Sequence, residues 1–205
     1  MGRNPEQNAE QRTATLDRLL TAGLELFASQ GFAGTTIADV AERADCSKGL
    51  LYHYFPSKRA LAEAVVVRWR STLTQLAATV AEETSPERRI VAFTRAVARH
   101  VETHPATYRL QLRAMTDPAL QGVAADLVAG NEDAGETWAS AFAALGSQRP
   151  ALDGRLFQTS LLGILAHHVL SPQPTPVREL VERLLERTLG SAVDPTDPPW
   201  SPAGP

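Results

Sequence analysis

Residues 35–58 read TTIADVAERADCSKGLLYHYFPSK, and this stretch decides the fold because it contains three helix-start signals. Thr36 with Asp39 three residues later is a capping box in its aspartate form, which predicts a short helix. Ser47 predicts the start of a second short helix, and Ser57 the start of a third. Two short helices joined by a turn of three or four residues are typical of a helix-turn-helix, whose second helix enters the major groove of DNA.

The second of these helices carries a polar outer face. Leu51 and Phe55 are four residues apart and are expected to point inward. The remaining side chains include an ammonium group, two phenols and an imidazole, which can donate to phosphate oxygens or reach a base edge. A core role for the aromatic rings is the alternative. The stretch therefore predicts a DNA-contacting surface made of Thr36, Ser47, Lys48, Gly49, Leu50, Tyr52, His53, Tyr54 and Lys58.

Residues 15–65, and above all residues 47–58, resemble the DNA-binding domain of the TetR family of transcriptional regulators. The family pattern S-x-G-x-L-Y-x-Y-F-x-x-K is met at every fixed position of residues 47–58. Asp45 stands where the family usually has a turn glycine, and Cys46 where it usually has valine. Aspartate tolerates the left-handed backbone conformation better than most residues, so the turn can still form.

The resemblance implies an all-α protein, with an N-terminal helix-turn-helix DNA-binding domain and a C-terminal helical ligand-binding and dimerisation domain. Such a protein is expected to bind a palindromic operator on double-stranded DNA as a homodimer, to act most often as a repressor, and to be released by a small-molecule effector. A helix-turn-helix protein without an effector and a ligand-responsive activator remain alternatives. Neither the operator nor the effector is readable from the sequence.

Composition sets further limits on the class of protein. The chain has 205 residues, of which 43% are hydrophobic and 21% charged, as is usual for a globular protein. Its single cysteine, Cys46, excludes an intramolecular disulfide and suits a reducing cytoplasm. The longest apolar run falls short of the roughly 20 residues of a membrane span, and the polar N-terminus does not read as a signal peptide. We therefore expect a cytoplasmic protein without a membrane partner.

The net charge of −3 is unusual for a protein that binds nucleic acid. Residues 1–70 hold nine Lys and Arg against eight Asp and Glu, so the charge of this part is +1 and that of the rest is −4. Phosphate affinity is therefore expected to depend on the placement of a few cations and on the presence of two copies on each duplex.

Helical periodicity predicts the domain organisation. We expect a flexible N-terminal arm at residues 1–12, a helix-turn-helix domain at 13–58, an effector-binding and dimerisation domain at 59–190, and a disordered tail at 191–205. The first helix should run from Thr13 to Gly31, and a long fourth helix from Ser57 to about Glu83. Later helices are expected at about residues 86–103, 108–115, 120–145, 156–170 and 177–188.

Large rings and isolated polar groups recur on the inward stripes of the later helices, which predicts a small-molecule cavity, although a filled core is the alternative for each ring. Asn131 interrupts an apolar stripe, and a buried amide without a partner costs about 1–3 kcal/mol. We expect an apolar or aromatic effector whose binding is transmitted to the DNA end by the fourth helix. The candidate ligand-binding residues are Trp69, Phe93, His100, Tyr108, Met115, Asn131, Trp138, Phe157 and His167.

The last two predicted helices offer an apolar surface that two copies could share, so we expect a two-fold homodimer. The two reading helices must then lie about 34–36 Å apart, or a multiple of that distance. The candidate interface residues are Leu161, Leu165, His168, Val177, Leu180, Val181, Leu184 and Thr188.

Metal binding and catalysis are the alternatives to DNA binding. His100 and His104 are four residues apart, but Pro105 disfavours a helical His104 and so removes the shared face. The sequence has no nucleophile elbow, no phosphate-binding glycine loop and no distinctive pair of carboxylates. We therefore expect neither a metal, nor another cofactor, nor an enzyme.

Overall fold

The computed structural model describes residues 5–117, 120 and 135–190, without the side chains of residues 5, 6, 69, 70, 73, 115 and 116. The repeating structure of these residues is entirely helical, which confirms the predicted all-α fold class. The helices are α1 (Pro5–Gly34), α2 (Ile37–Arg43), α3 (Lys48–Tyr54), α4 (Lys58–Thr79), α5 (Pro86–Thr103), α6 (Pro105–Thr116), α7 (residues 135–144), α8 (Pro150–Leu170) and α9 (Val177–Leu189).

The three predicted helix starts are confirmed by their capping hydrogen bonds. The Thr36 hydroxyl accepts from the Asp39 amide at 3.2 Å, while the Asp39 carboxylate accepts from the Thr36 amide at 2.9 Å. Ser47 caps α3 by accepting from the Leu50 amide, and Ser57 caps α4 in the same way. Each cap satisfies an amide that has no partner within its helix, so these side chains fix where the helices begin.

A small core holds α1, α2 and α3 together. Leu51 of α3 and Phe55 directly after it are buried, as predicted, together with Val40 of α2 and Leu19 and Phe27 of α1. The turn between α2 and α3 places Asp45 at a φ of 50°, the left-handed conformation expected for the residue that replaces the usual glycine. This core therefore holds α3 in place and leaves its other face outward.

The first helix differs from its prediction at its N-terminus. It begins at Pro5 instead of Thr13, so residues 5–12 of the predicted flexible arm are helical. Proline suits a first helical turn, and the following Glu, Gln and Ala residues favour the helix although they add no apolar stripe. Gly31 interrupts α1 as predicted, with a φ of 78° that favours glycine.

Two other helix limits also differ from the prediction. Helix α4 ends at Thr79, four residues before the predicted end. Helix α8 begins at Pro150, six residues before the predicted start, because proline fits its first turn although the apolar run begins only at Leu156. The predicted tail at 191–205 and much of the predicted helix over 120–145, including Asn131, lie outside the described residues.

The later helices pack around α8. Helix α8 contacts α5, α6 and α9, and α5 also packs on α9 through a bidentate ion pair between Arg95 and Glu182. A Cβ atom at Gly154 would lie 2.9 Å from the main chain of Trp138 and of Ala139, so α7 and α8 approach closely at this point. Helix α1 packs on both α4 and α6, across the predicted domain boundary at residue 58. None of the described helices is long and apolar enough to cross a membrane.

Candidate nucleic-acid interface

Helix α3 presents a continuous exposed face. Lys48, Gly49, Leu50, Tyr52 and His53 are all exposed, and the side chains of Leu50 and Tyr52 are 38% and 52% accessible. Six of the nine predicted DNA-contacting residues thus lie on one short helix, and five of these six are exposed.

Gly49 has no structural role that requires glycine. An added Cβ atom would meet only the Ser47 hydroxyl oxygen, at 3.9 Å, which is an ordinary contact. The helix backbone at this position therefore faces open space, where a duplex could approach closely. The hydroxyl groups of Thr36 and Ser47 already cap α2 and α3, so these two residues position the helices whether or not they also touch DNA.

Tyr54 lies at the border of the exposed face. It is half-buried and packs against the core, with its ring 5.7 Å from the His53 ring in an edge-on contact. Its ring therefore supports α3. A core role for the aromatic rings thus applies to Tyr54 more than to Tyr52.

Lys58 has a different role from the predicted phosphate contact. Its ammonium group donates to the carbonyl oxygens of Phe32 and Thr35, at 2.7 and 2.9 Å, and lies 4.4 Å from the centre of the Phe32 ring. Two main-chain acceptors and a cation–π contact already satisfy this charge. Lys58 therefore fastens the start of α4 to the connection between α1 and α2. The sequence pattern alone does not distinguish this internal contact from a phosphate contact.

The pKa values of Asp39 and Cys46 are both shifted by contacts within this region. The pKa of Asp39 is lowered chiefly because its carboxylate accepts a hydrogen bond from the Thr36 backbone amide in the capping box. Burial raises the pKa of the Cys46 thiol, which therefore stays neutral and acts as a small apolar residue in the turn.

Three of the predicted ligand-binding residues form an aromatic cluster in the later helices. The Trp138 ring centre lies 5.8 Å from that of Phe93 and 4.9 Å from that of Phe157, and Phe142 continues the cluster at 5.8 Å from Phe157. Trp138 and Phe157 are buried. Rings in such mutual contact also make a filled core, which is the alternative to a binding site for these rings.

Two predicted polar ligand residues are in the interior. Tyr108 is buried and donates to the Leu162 carbonyl oxygen at 3.5 Å, and its burial raises its pKa. Burial and the stacked ring of His104 lower the pKa of His100 to about 4, so its imidazole is neutral at pH 7. Both residues are therefore uncharged groups that can orient a ligand.

His167 does not belong to the interior set. Its side chain is exposed, and Nδ1 lies 2.8 Å from the Thr175 hydroxyl. The prediction was wrong because α8 carries apolar residues almost all round, so its inward side could not be read from the sequence. For Trp69 and Met115 only the helical backbone is described, and Asn131 lies outside the described residues.

Two interior polar groups were missed. The Gln111 Oε1 and Thr94 Oγ1 atoms are buried and have no hydrogen-bond partner among the residues that the structure describes. Buried polar groups are normally hydrogen-bonded, so each such atom points to water, an ion or a ligand. The signal that singled out Asn131, an amide in an otherwise apolar helical stripe, would also have found Gln111, which lies between Tyr108 and Ala114 at helical spacing.

The burial of the candidate interface residues changes which of them a second copy could contact. Leu161, Leu165, Val177 and Val181 are buried within the single subunit, so these four are not available to a second copy. Leu180 is exposed, and His168, Leu184 and Thr188 are half-buried. The exposed large apolar side chains of α8 were missed, and they are Leu152, Leu156 and Leu170.

Among the residues that the structure describes, no three His, Cys, Asp or Glu side chains come together as a metal site.

Residues 19–65 match the family described as bacterial regulatory proteins, tetR family, and residues 82–191 match a Tetracyclin repressor-like, C-terminal domain. The second match alone covers more than half of the chain.

Curated relatives match mainly the N-terminal part. The HTH-type transcriptional repressor KstR2 of Mycolicibacterium smegmatis is 39% identical over 62 residues, which are 30% of this chain and 28% of the relative. The HTH-type transcriptional regulator BetI of Paraburkholderia xenovorans is 40% identical over 80 residues, 37% of this chain and 41% of the relative. The matched region thus spans less than half of either relative.

Solved structures match over most of the chain. A TetR-like transcriptional regulator from Rhodococcus sp. RHA1 superposes with a TM-score of 0.75 at 18% identity, covering 85% of this chain and 93% of the other. The transcriptional regulator FadR from Bacillus subtilis, in complex with stearoyl-CoA, gives a TM-score of 0.70 at 12% identity, covering 86% and 98%. At these identities the likeness shows the fold.

Proposed function

Because this chain belongs to the TetR family of bacterial regulatory proteins, we propose that it is a cytoplasmic transcriptional regulator that binds a palindromic operator as a homodimer. The observation that carries the proposal is the exposed face of α3. Its cation, phenol and imidazole project from a helix whose opposite side, Leu51 and Phe55, is buried. We assign Lys48 and Tyr52 to phosphates, and Leu50 and His53 to base edges.

The experiment that tests DNA binding is selection of duplexes from a random library by the full chain. We expect an enriched inverted repeat whose half-sites are about 10–10.5 base pairs apart, centre to centre, or a multiple of that spacing. A variant with both Lys48→Ala and Tyr52→Phe should lose most of its affinity for the selected duplex. The control is Arg88→Ala, an exposed arginine on α5. Failure to enrich any sequence at low salt would overturn the proposal.

We further propose that the regulator is a repressor released by a small molecule bound among α5, α6, α7 and α8. The aromatic cluster and the buried Gln111 Oε1 atom support this site. Arg95 is already paired with Glu182, and His100 is neutral at pH 7, so neither offers a charge to an anionic ligand. The expected effector is an apolar or aromatic molecule with a hydrogen-bond donor for Gln111.

A thermal-shift screen of neutral aromatic and aliphatic alcohols, phenols and amides tests the effector proposal. A compound that stabilises the parent should act much less on Gln111→Leu and should weaken operator binding by the parent, by about 5- to 150-fold. Expression of a reporter gene behind the selected operator should then rise when the compound is added. If no compound in these classes binds, a DNA-binding protein without an effector becomes the better description.

The homodimer is proposed to form through the exposed side of α8 and α9. Leu152, Leu156 and Leu170 on α8 and Leu180 on α9 leave apolar surface in solvent that a second copy can cover. Gly163 lies on the same exposed side of α8, and a Cβ atom there would meet nothing within 4 Å. A partner helix can therefore approach this part of α8 closely.

A further inference from the structure

Helix α6 is attached to two other helices through a pair of arginines. Arg109 and Arg113 are four residues apart and therefore lie on neighbouring turns of the same helix face. Arg113 Nη2 donates to the Ser29 carbonyl oxygen of α1 at 3.2 Å. Arg109 donates through Nε and Nη2 to the Val169 carbonyl oxygen of α8, at 3.4 and 3.2 Å.

Both acceptors are main-chain carbonyls at the end of a helix. Ser29 lies in the last turn of α1 before the break at Gly31, and Val169 lies in the last turn of α8. Carbonyls in a last turn have no partner within their helix and carry the negative end of its dipole. A guanidinium group is a strong donor to such atoms. Each arginine therefore joins α6 to a fixed point on another helix.

The Arg113 contact is made at the segment that leads into α2 and α3. A Cβ atom at Gly31 would lie 3.1 Å from Arg113 Nη1, so the guanidinium group lies against the break in α1. Residues 31–35 follow, closed by a hydrogen bond from the Thr35 hydroxyl to the Gly31 carbonyl oxygen and held by Lys58 from the other side. Thr36, the cap of α2, comes next, and α2 packs on α3.

Helix α4 is fastened to α1 and to the α1–α2 connection, so we treat α1, α4 and the helices α2 and α3 as one unit. Lys58 fastens its start to the α1–α2 connection, and Arg68 forms an ion pair with Asp17 of α1 at 2.7 Å. Helices α1 and α4 are thus joined at two points on α4. An element that displaces this unit must contact it from the regulatory side, and α6 makes such a contact with α1.

We propose that Arg113 is a positioning residue that couples the regulatory helices to α3 through α6, beside the predicted route through α4. The inference rests on the proposed function. Gln111, the buried amide with an unpartnered oxygen, lies on α6 between the two arginines. A ligand that engages Gln111 displaces α6, and the displacement reaches the α1–α2 connection through Arg113 and the end of α8 through Arg109. By linkage, operator binding at α3 changes the affinity for a ligand at α6 by the same free energy.

The test uses hydrogen–deuterium exchange of the full-length dimer with and without its selected operator, because no ligand has to be known. In the parent, operator should slow amide exchange in α3 and also change exchange in α6 by about fivefold or more, the lower end of usual couplings. In Arg113→Gln the slowing at α3 should remain, whereas the change in α6 should disappear. An undiminished α6 response in this variant overturns the inference.

Two further variants separate coupling from a loss of structure. Arg109→Gln should keep the α6 response and lose the response at residues 167–170, since it removes only the contact to α8. Arg113→Lys keeps a cation within reach of the α1 carbonyls and should restore part of the α6 response, so it carries the test if Arg113→Gln does not fold. The proposal is contradicted if operator causes no change in α6 exchange in Arg113→Lys. It is also contradicted if operator causes the full α6 change in Arg113→Gln.

The matched control is Arg178→Gln, which removes an exposed arginine paired with Glu102 on the α5–α9 side. It should leave every response to operator unchanged. A parent that binds operator without any change in α6 overturns the inference and leaves the proposed function standing. A parent that binds no duplex overturns the proposed function itself.

Discussion

Two faces of this molecule leave large side chains in solvent, and they differ in chemistry. The face of α3 exposes Leu50 and Tyr52 among Lys48 and His53, so apolar surface alternates with hydrogen-bond donors. The outer side of α8 exposes Leu152, Leu156 and Leu170 at 57–66% accessibility, and the sequence between Leu156 and Leu170 holds no lysine or arginine. Exposure alone therefore does not identify a partner, whereas the polar groups beside the exposed rings and leucines do.

The difference matches what each proposed partner requires. A duplex presents phosphates and base edges, which need donors at fixed positions and tolerate only scattered apolar contacts. A second copy of the chain presents the same leucines in return, so an apolar patch is covered by itself around a two-fold axis. The predictions below test this division between the two faces, from the largest expected effect to the smallest.

The largest effect is expected from Leu156→Glu on the α8 face. The substitution places a carboxylate against the apolar surface of a second copy and should weaken the dimer by more than about 3 kcal/mol. Light scattering after size exclusion should then show a monomer, and operator affinity should fall with it. The control is Val67→Glu on α4, which is 59% exposed and lies on neither face. A Leu156→Glu protein that stays dimeric places the interface elsewhere.

The two lysines of the reading region should behave differently. Lys58→Met leaves the carbonyl oxygens of Phe32 and Thr35 without their donor, so the free energy of unfolding should fall by about 1–3 kcal/mol. Lys48→Met should leave stability unchanged and should reduce the slope of log affinity against log salt by about one per subunit. Thermal unfolding and salt-dependent binding check both. Equal stability of the two variants would mean that Lys58 is not a structural residue.

Tyr52→Phe keeps the ring and removes the hydroxyl from the exposed face of α3. Loss of a hydrogen bond to a charged phosphate should reduce operator affinity by about 1.5 kcal/mol, or roughly tenfold, per subunit. Tyr54→Phe is the matched comparison, and its effect should be smaller because its ring is half-buried against the core. Fluorescence anisotropy with a labelled operator measures both. A larger loss for Tyr54→Phe would reverse the assignment of the two rings.

The smallest effect is expected from Leu50, which we place near a thymine methyl group. Leu50→Ala should reduce affinity by about 1 kcal/mol, and only for operators with thymine at the contacted position. Replacement of that thymine by deoxyuridine removes the methyl group alone. The parent should lose affinity on this replacement, and the variant should not, so that the double-mutant cycle isolates the contact. Additive losses would mean that Leu50 does not touch the methyl group.

Local signals in the sequence were enough for the DNA-reading end. Thr36, Ser47 and Ser57 start their helices through side chains that bond to amides three residues away, and contacts this short do not depend on the rest of the fold. The same holds for Asp45, whose left-handed conformation is a property of one residue. Helix identity, the family resemblance and the outward face of α3 were all readable for this reason.

Where the sequence of a helix is apolar nearly all round, only the tertiary structure decided which side of the helix faces inward. Helix α8 is apolar nearly all round, so its sequence did not show that Leu165 is buried and Leu156 exposed, or that His167 points outward. Lys58 and Arg113 bond to main-chain carbonyls 23 to 84 residues away in the chain. A carbonyl acceptor leaves no mark in the sequence, since every residue carries one. The sequence therefore determined the helices and the outward face of α3, whereas the packing of distant segments decided which leucines of α8 are exposed and which side-chain contacts join distant helices.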